Sequence, residues 1–384
     1  MERPIYLDYN ATTPVDPAVV EAMVPYLFER FGNASSAHAY GYEAREAMER
    51  ARAQVADLIG ARRGEIVFSG GGSETDNLAI QGVIFANLER RPHVVSTTVE
   101  HPAVLNTLQY LKRRFGVEST LLDVDEDGLI APEQLARAIR PETVLVTVMH
   151  ANNETGTIQP IAQLATIAQD AGVCFHVDAA QSVGKLEVDV NALGVDMLTI
   201  AAHKLYGPKG IGALYLRQGM SLDPLVHGSQ QEHGLRAGTE NVASMVGMGM
   251  ACGIAKAKIR TEGPRLIALR DKLQTLLEER ISGTVLNGHL TQRLPNTLNI
   301  SLPDAVGQTV LAYAPGVAAS TGSACHSGHT EPSPVLMAMG LTRDRALGAL
   351  RLSLGRWTTP GEIERAAGLL ADGLQKSEHL RLLA

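Results

Sequence analysis

The sequence predicts an α/β protein: a mainly parallel sheet with helices on both faces, followed by a smaller α+β unit. From about Glu65, short apolar β-rich runs alternate with longer amphipathic stretches, the pattern of βαβ units. The runs lack polar alternation, as strands buried on both faces do. Past a Gly-rich region at residues 207–238 the alternation stops, and a long helical region at 241–281 replaces it.

Taken in order, the chain opens with a polar start and then a strand, without the basic head and apolar run of a secretory signal. Ile66-Val67-Phe68 precedes a helix at 73–87, and Val94-Val95-Ser96-Thr97 precedes one at 101–114. The run from Val144 to Val148 precedes a helix at 161–170, and a further strand follows at 173–177. The later α+β unit has strands near 297–300 and 350–354, a small-residue loop at 320–328 and a final helix from Pro360. There is no internal repeat or low-complexity linker.

The 384 residues are 45% hydrophobic and 20% charged, which suits a globular chain of about two domains. A net charge of −7 with no Lys/Arg run argues against nucleic-acid binding. The most membrane-like stretch, 242–255, is too short and Gly-rich to span a bilayer and reads as a buried helix. Cys174, Cys252 and Cys325 lie too far apart for a disulfide framework or a CxxC zinc site, and no metal site is expected. A cytoplasmic protein is the expectation, without a membrane partner.

Three motifs follow strands of the first unit, where open α/β sheets bind ligands. Gly70-Gly71-Gly72-Ser73 joins a strand to a helix, so its free N–H groups suit a phosphate; a tight turn capped by Ser73 is the alternative. Asp178 ends an apolar strand, where a carboxylate needs a cation or several donors unless it merely caps the next turn. Lys204 follows another apolar strand, and only eight of the 34 basic residues are Lys. A desolvated lysine has a lowered pKa and can form a Schiff base, although an exposed loop lysine is the default for any one residue. A phosphate cradle, a carboxylate for a ring nitrogen and a Schiff-base lysine are together the anchors of pyridoxal 5′-phosphate. His101, at another strand end, could stack on its ring.

The chain resembles the NifS-like cysteine desulfurases and their selenocysteine lyase relatives, class V aminotransferase-like enzymes of fold type I. The resemblance runs through Tyr6-Leu7-Asp8-Tyr9-Asn10-Ala11-Thr12-Thr13-Pro14, Asn152-Asn153-Glu154-Thr155-Gly156, the segment around Asp178, His203-Lys204, Arg236-Ala237-Gly238-Thr239, Gly322-Ser323-Ala324-Cys325 and Arg351-Leu352-Ser353. It implies a seven-stranded-type, mainly parallel sheet in a large cofactor domain (15–255). A small domain (1–14 and 256–384) would carry the Cys325 loop, in a homodimer.

By the same resemblance, Lys204 is the Schiff-base lysine and catalytic base, Asp178 meets the pyridine nitrogen, Gln181 the phenolic oxygen, and His101 stacks and helps move protons. Gly72, Ser73 and His203 would hold the phosphate, with Thr239 reaching it from the other subunit. Asn153 and Arg351 would receive the substrate carboxylate. Cys325 would take sulfur from L-cysteine as a persulfide, leaving L-alanine and supplying an acceptor protein in iron-sulfur cluster assembly or another sulfur-transfer pathway. The alternative is a selenocysteine lyase acting on L-selenocysteine and passing on selenium. Cys174 and Cys252 read as core residues. Ala201 replaces a serine common in relatives, His233 replaces an arginine, and His326 follows Cys325. Asp123 to Gly128 imitates the start of a calcium loop, but Pro132 and Gln134 break the pattern, so it reads as an acidic turn.

Overall fold

The computed structural model describes the backbone of residues 3–322, 325–326 and 329–383; the side chains of 323–330 and 380–384 lie outside the described residues. Seven strands form one sheet in the order Ile66–Ser69, Gly212–Leu216, Met197–Ala201, Cys174–Asp178, Thr143–Met149, His93–Thr97, Glu118–Leu122. Only Gly212–Leu216 runs against both its neighbours. The remaining pairings among the sheet's central strands are parallel, so helical crossovers cover both faces, and His93–Thr97 and Met197–Ala201 are buried throughout.

Two of these strands were not foreseen. Glu118–Leu122 lies at the sheet edge with half-exposed polar residues, which hides it from a search for apolar runs. Gly212–Leu216 follows the Gly/Pro loop so closely that the whole segment reads as turn. Ser73 is also not a helix cap: the helix Gly72–Phe85 starts after Gly71, whose φ of +141° is glycine territory.

A second, antiparallel sheet of Ala349–Ser353, Thr297–Ser301 and Val285–Leu286 packs with helices Gly307–Tyr313 and Pro360–Leu383. Ile5 and Leu7 join this core, and Ile5–Tyr6 pairs with Val317–Ala318, so the chain start packs with its last third. Helix Val242–Arg280 links the two cores. Asn241 caps it by accepting from the Ser244 N–H. Met245, Met248, Ala251 and Cys252 pack under the large sheet, whereas Leu266, Leu269, Leu273 and Leu277 pack in the second core. Gly263-Pro264 lies between these stretches, where proline removes one N–H from the ladder. This helix is long and apolar enough to cross a membrane, yet half of its most apolar stretch is buried inside the protein.

Candidate active site

A cleft of about 630 Å³ opens at the carboxyl ends of the parallel strands, and the sequence motifs converge on it. Its floor is the glycine turn. The helical ladder begins with Thr75 N–H donating to Gly71 O, so the N–H groups of Gly72 and Ser73 remain at the helix end, facing the cleft. Gly212 lies alongside; a Cβ there would come 2.8 Å from the Gly71 carbonyl carbon, so the approach of the two backbones requires glycine. Ala201 lines the same wall. His203 faces the cleft with Nδ1 3.1 Å from Thr12 Oγ1, and burial with the Lys204 and Lys209 charges pushes its pKa to about 4. It is a neutral partner there.

Two buried carboxyls, Asp178 and Asp76, line the cleft, and a third, Glu100, is buried behind it. Asp178 ends its strand and accepts from Ala180 N at 2.9 Å; burial raises its pKa against the pull of His101 and Lys204. Asp76 has Oδ1 without a hydrogen-bond partner among the described residues and 3.8 Å from His176 Nε2. Glu100 accepts from Thr97 Oγ1 and Met149 N, and burial pushes its pKa to about 8. Burial disfavours the ionised form of Asp178 unless a cation or donor meets it in the cleft. A protonated pyridine ring beside Asp178 supplies one, and together with the phosphate-ready helix end it makes the cleft fit pyridoxal 5′-phosphate.

Lys204 stands at the end of the short turn Ala202–Lys204 that follows strand Met197–Ala201. Its Nζ donates to Asn10 O at 2.6 Å and Ala11 O at 2.9 Å, and burial, aided by the Arg351 charge, lowers its pKa to about 8. Gln181 donates from Nε2 to the same Asn10 carbonyl at 3.0 Å. His101 caps the helix Pro102–Phe115 by accepting at Nδ1 from Ala103 N. That bond leaves the hydrogen of the neutral ring on Nε2.

At the other end of the cleft, Arg351 donates from Nη2 to Asp8 Oδ1 at 2.7 Å and from Nη1 to Asn153 O at 3.3 Å. Its Nε is buried without a hydrogen-bond partner among the described residues, and the residue lines the cleft. Asn153 lines the cleft beside it. Thr239 is exposed and lies outside the lining of its own chain's cleft. The Cys325 side chain lies outside the described residues; its backbone forms a strand with His326 that pairs with His329–Thr330.

Cys252 is fully buried in the long helix and Cys174 is half-buried at a strand start, with burial raising both thiols away from reactivity. The acidic segment at 123–128 is a turn in which Asp125 Oδ1 accepts from Asp127 N and Leu129 N. Sequence reasoning missed Asn10 as a hub. It also missed the pair in which Arg52 meets Glu232 at 2.7 Å through two bonds, holding the Gly-rich segment against strand Ile66–Ser69. No local pattern marks either one.

Residues 5–366 match the family model for class-V aminotransferases. The chain is 46% identical over 378 residues to the cysteine desulfurase IscS of Dictyoglomus turgidum, covering 98% of this chain and 96% of that protein. It is 45% identical over 381 residues to the IscS of Methanosarcina thermophila, covering 98% and 94%. Among solved structures, a NifS-like protein superposes with a TM-score of 0.91 at 36% identity, covering 97% of this chain and 100% of that one. SspA in complex with cysteine superposes with a TM-score of 0.81 at 37% identity, covering 92% and 99%. Cofactor-ready cleft, fold and near full-length similarity agree: the chain belongs to the class-V aminotransferase family, in its NifS-like branch of pyridoxal 5′-phosphate-dependent cysteine desulfurases.

Proposed function

We propose that this chain converts L-cysteine to L-alanine and collects the sulfur on Cys325. The observation that carries this reading is the convergence of Lys204, Asp178, the glycine turn and Arg351 on one cleft. When bound, the cofactor supplies an electron sink for the pair left at the substrate Cα. Asp178 would hold the ring nitrogen protonated, Gln181 would donate to the phenolic oxygen, and His101 would cover the ring face. Gly72, Ser73 and His203 would receive the phosphate.

With a pKa lowered to about 8, Lys204 is partly a free amine near neutral pH, the form that bonds the cofactor covalently and takes a proton. Arg351 and Asn153 would fix the substrate carboxylate and so aim the Cα–H at Lys204 Nζ. The Cys325 thiolate then attacks the substrate sulfur: the Sγ–S bond forms, the substrate Cβ–S bond breaks with its electron pair left to Cβ, Cβ takes a proton, and the proton held by Lys204 returns to Cα to complete alanine. A second thiol on an acceptor protein would remove the sulfur, for iron-sulfur cluster assembly or another transfer route. A cytoplasmic, reducing setting keeps Cys325 free at the start of each cycle.

The same reading includes a homodimer and a division into a large domain (15–255) and a small one (1–14 and 256–384). Leu27, Phe28 and Phe31 are more than 60% exposed beside Val20, Val24 and Tyr40, an apolar patch that a second copy would cover. Thr239, exposed and outside its own cleft, is then available to the partner's phosphate. The two hydrophobic cores joined by helix Val242–Arg280 support the division. Alanine formation from L-cysteine with a reducing thiol tests the activity; purified protein that binds the cofactor yet forms no alanine would overturn it.

A further inference from the structure

Lys185 bonds to a cleft residue without lining the cleft itself. It follows Gln181 by four residues, and its Nζ donates to Gln181 Oε1 at 2.8 Å and to Asn10 Oδ1 at 3.2 Å. Asn10 is 1% exposed and engaged on every side: Nδ2 donates to Asn153 O at 3.1 Å and Thr297 Oγ1 at 2.8 Å, and Oδ1 also accepts from Asn296 Nδ2. Its carbonyl receives both Lys204 Nζ and Gln181 Nε2. Gln181 lines the cleft and Lys185 does not, so anything Lys185 does for the site passes through its partners.

The oxygen and nitrogen ends of an amide have nearly the same shape, and their partners alone decide which faces where. The Asn10 backbone carbonyl only accepts, so Gln181 Nε2 faces it and Oε1 turns to Lys185 Nζ, which donates to it. Nε2 then faces away from Lys185, with one hydrogen on Asn10 O and the second left for the cleft. A donor on the amide oxygen also polarises the N–H donors at the other end, most strongly when Lys185 is charged. Holding the charge there is costly, because burial and the neighbouring Lys204 and Arg351 charges push Lys185 well below the ordinary lysine range.

We propose that Lys185 is a positioning residue that fixes the Gln181 amide against Asn10, with the free Nε2 hydrogen directed at the phenolic oxygen of the cofactor. This rests on the reading that Gln181 meets that oxygen.

The test is a double-mutant cycle on the full-length chain freed of cofactor. Its probe is 4′-deoxypyridoxine phosphate, which keeps the phosphate, ring nitrogen and phenolic oxygen but cannot bond to Lys204. Gln181→Ala and Lys185→Met are each expected to weaken probe binding about tenfold. The double variant should bind no more than about twofold worse than Gln181→Ala alone, because Lys185 acts through the side chain already removed. Thermal melts check that each variant folds; should Lys185→Met not fold, Lys185→Gln enters the same cycle with an expected loss of about threefold.

If Gln181→Ala weakens binding but the lysine change has no effect, or multiplies fully onto Gln181→Ala, the inference is overturned while the reading of Gln181 stands. If Gln181→Ala binds the probe as the natural chain does, that reading fails and the inference with it.

Discussion

Ser333 Oγ donates a 2.5 Å hydrogen bond to Glu154 Oε2, and both residues are buried. Glu154 neighbours Asn153 in the cleft, while Ser333 follows the segment that carries Cys325. Gly322, before that segment, packs so close to the same carboxylate oxygen that a Cβ would collide with it, at a φ of +69°. One carboxyl therefore meets both flanks of the Cys325 segment. Burial pushes Glu154 up to about 7, against the Ser333 bond and the Arg351 charge. Ser333→Ala removes that donor from a buried acceptor and is expected to cost about 1–3 kcal/mol in denaturant unfolding. An unchanged midpoint would show that the bond is not needed.

The Arg52–Glu232 pair is almost wholly buried and doubly bonded. Glu232→Ala removes the buried, doubly bonded counter-charge of Arg52 and leaves only the partly exposed Glu49 at 3.1 Å, so a loss of about 3 kcal/mol is expected by urea titration. Glu232 also accepts from Phe68 N on the strand leading to the glycine turn, so cofactor affinity should fall with it. A variant as stable as the natural chain would remove this pair from the account.

The difference between what was legible and what was not follows from sequence distance. Lys204 and Asp178 could be read because each stands directly after an apolar run, and the strand end fixes where the side chain goes. The Lys185–Asn10 bond joins residues 175 apart, and Arg52 and Glu232 are 180 apart, so no window along the chain contains either pair. Strand Glu118–Leu122 escaped because an edge strand keeps polar residues on view. The glycine turn was legible in its glycines, but its cap was not, because Gly71 starts the helix through a backbone angle that no side chain pattern announces.

Glu100 makes stability depend on pH. The folded chain holds its proton to about pH 8, whereas an ordinary carboxyl in the unfolded chain releases it near 4.5. The resulting stabilisation is complete below the lower value and is lost as pH rises through the upper one. Glu100→Gln has no proton to lose. The melting temperature of the cofactor-free natural chain should therefore fall relative to the variant between pH 5 and pH 8.5. A constant difference across that range would mean Glu100 titrates normally.

Arg351 presents a planar fork at the end of the cleft where the substrate carboxylate is proposed to bind, and a lysine cannot reproduce it. Arg351→Lys should raise the KM for L-cysteine about tenfold with a smaller change in kcat, since the lost bonds hold the carboxylate in ground and transition states alike. An unchanged KM would move the carboxylate site elsewhere. For Lys204→Ala, borohydride should no longer fix cofactor to the chain, because the amine proposed to bond it is gone, although Lys209 still lines the cleft. Cofactor trapped in that variant would assign the covalent bond to another lysine.

The most direct test of sulfur collection by Cys325 is alanine formation from L-cysteine and from L-selenocysteine, measured side by side on the natural chain and on Cys325→Ala. The natural chain should form alanine from L-cysteine and carry one additional sulfur on Cys325 by intact mass. Cys325→Ala should keep its bound cofactor but form no alanine from L-cysteine, and activity retained on L-selenocysteine alone would point to the lyase. Alanine formed from L-cysteine by Cys325→Ala at the natural rate would contradict the account.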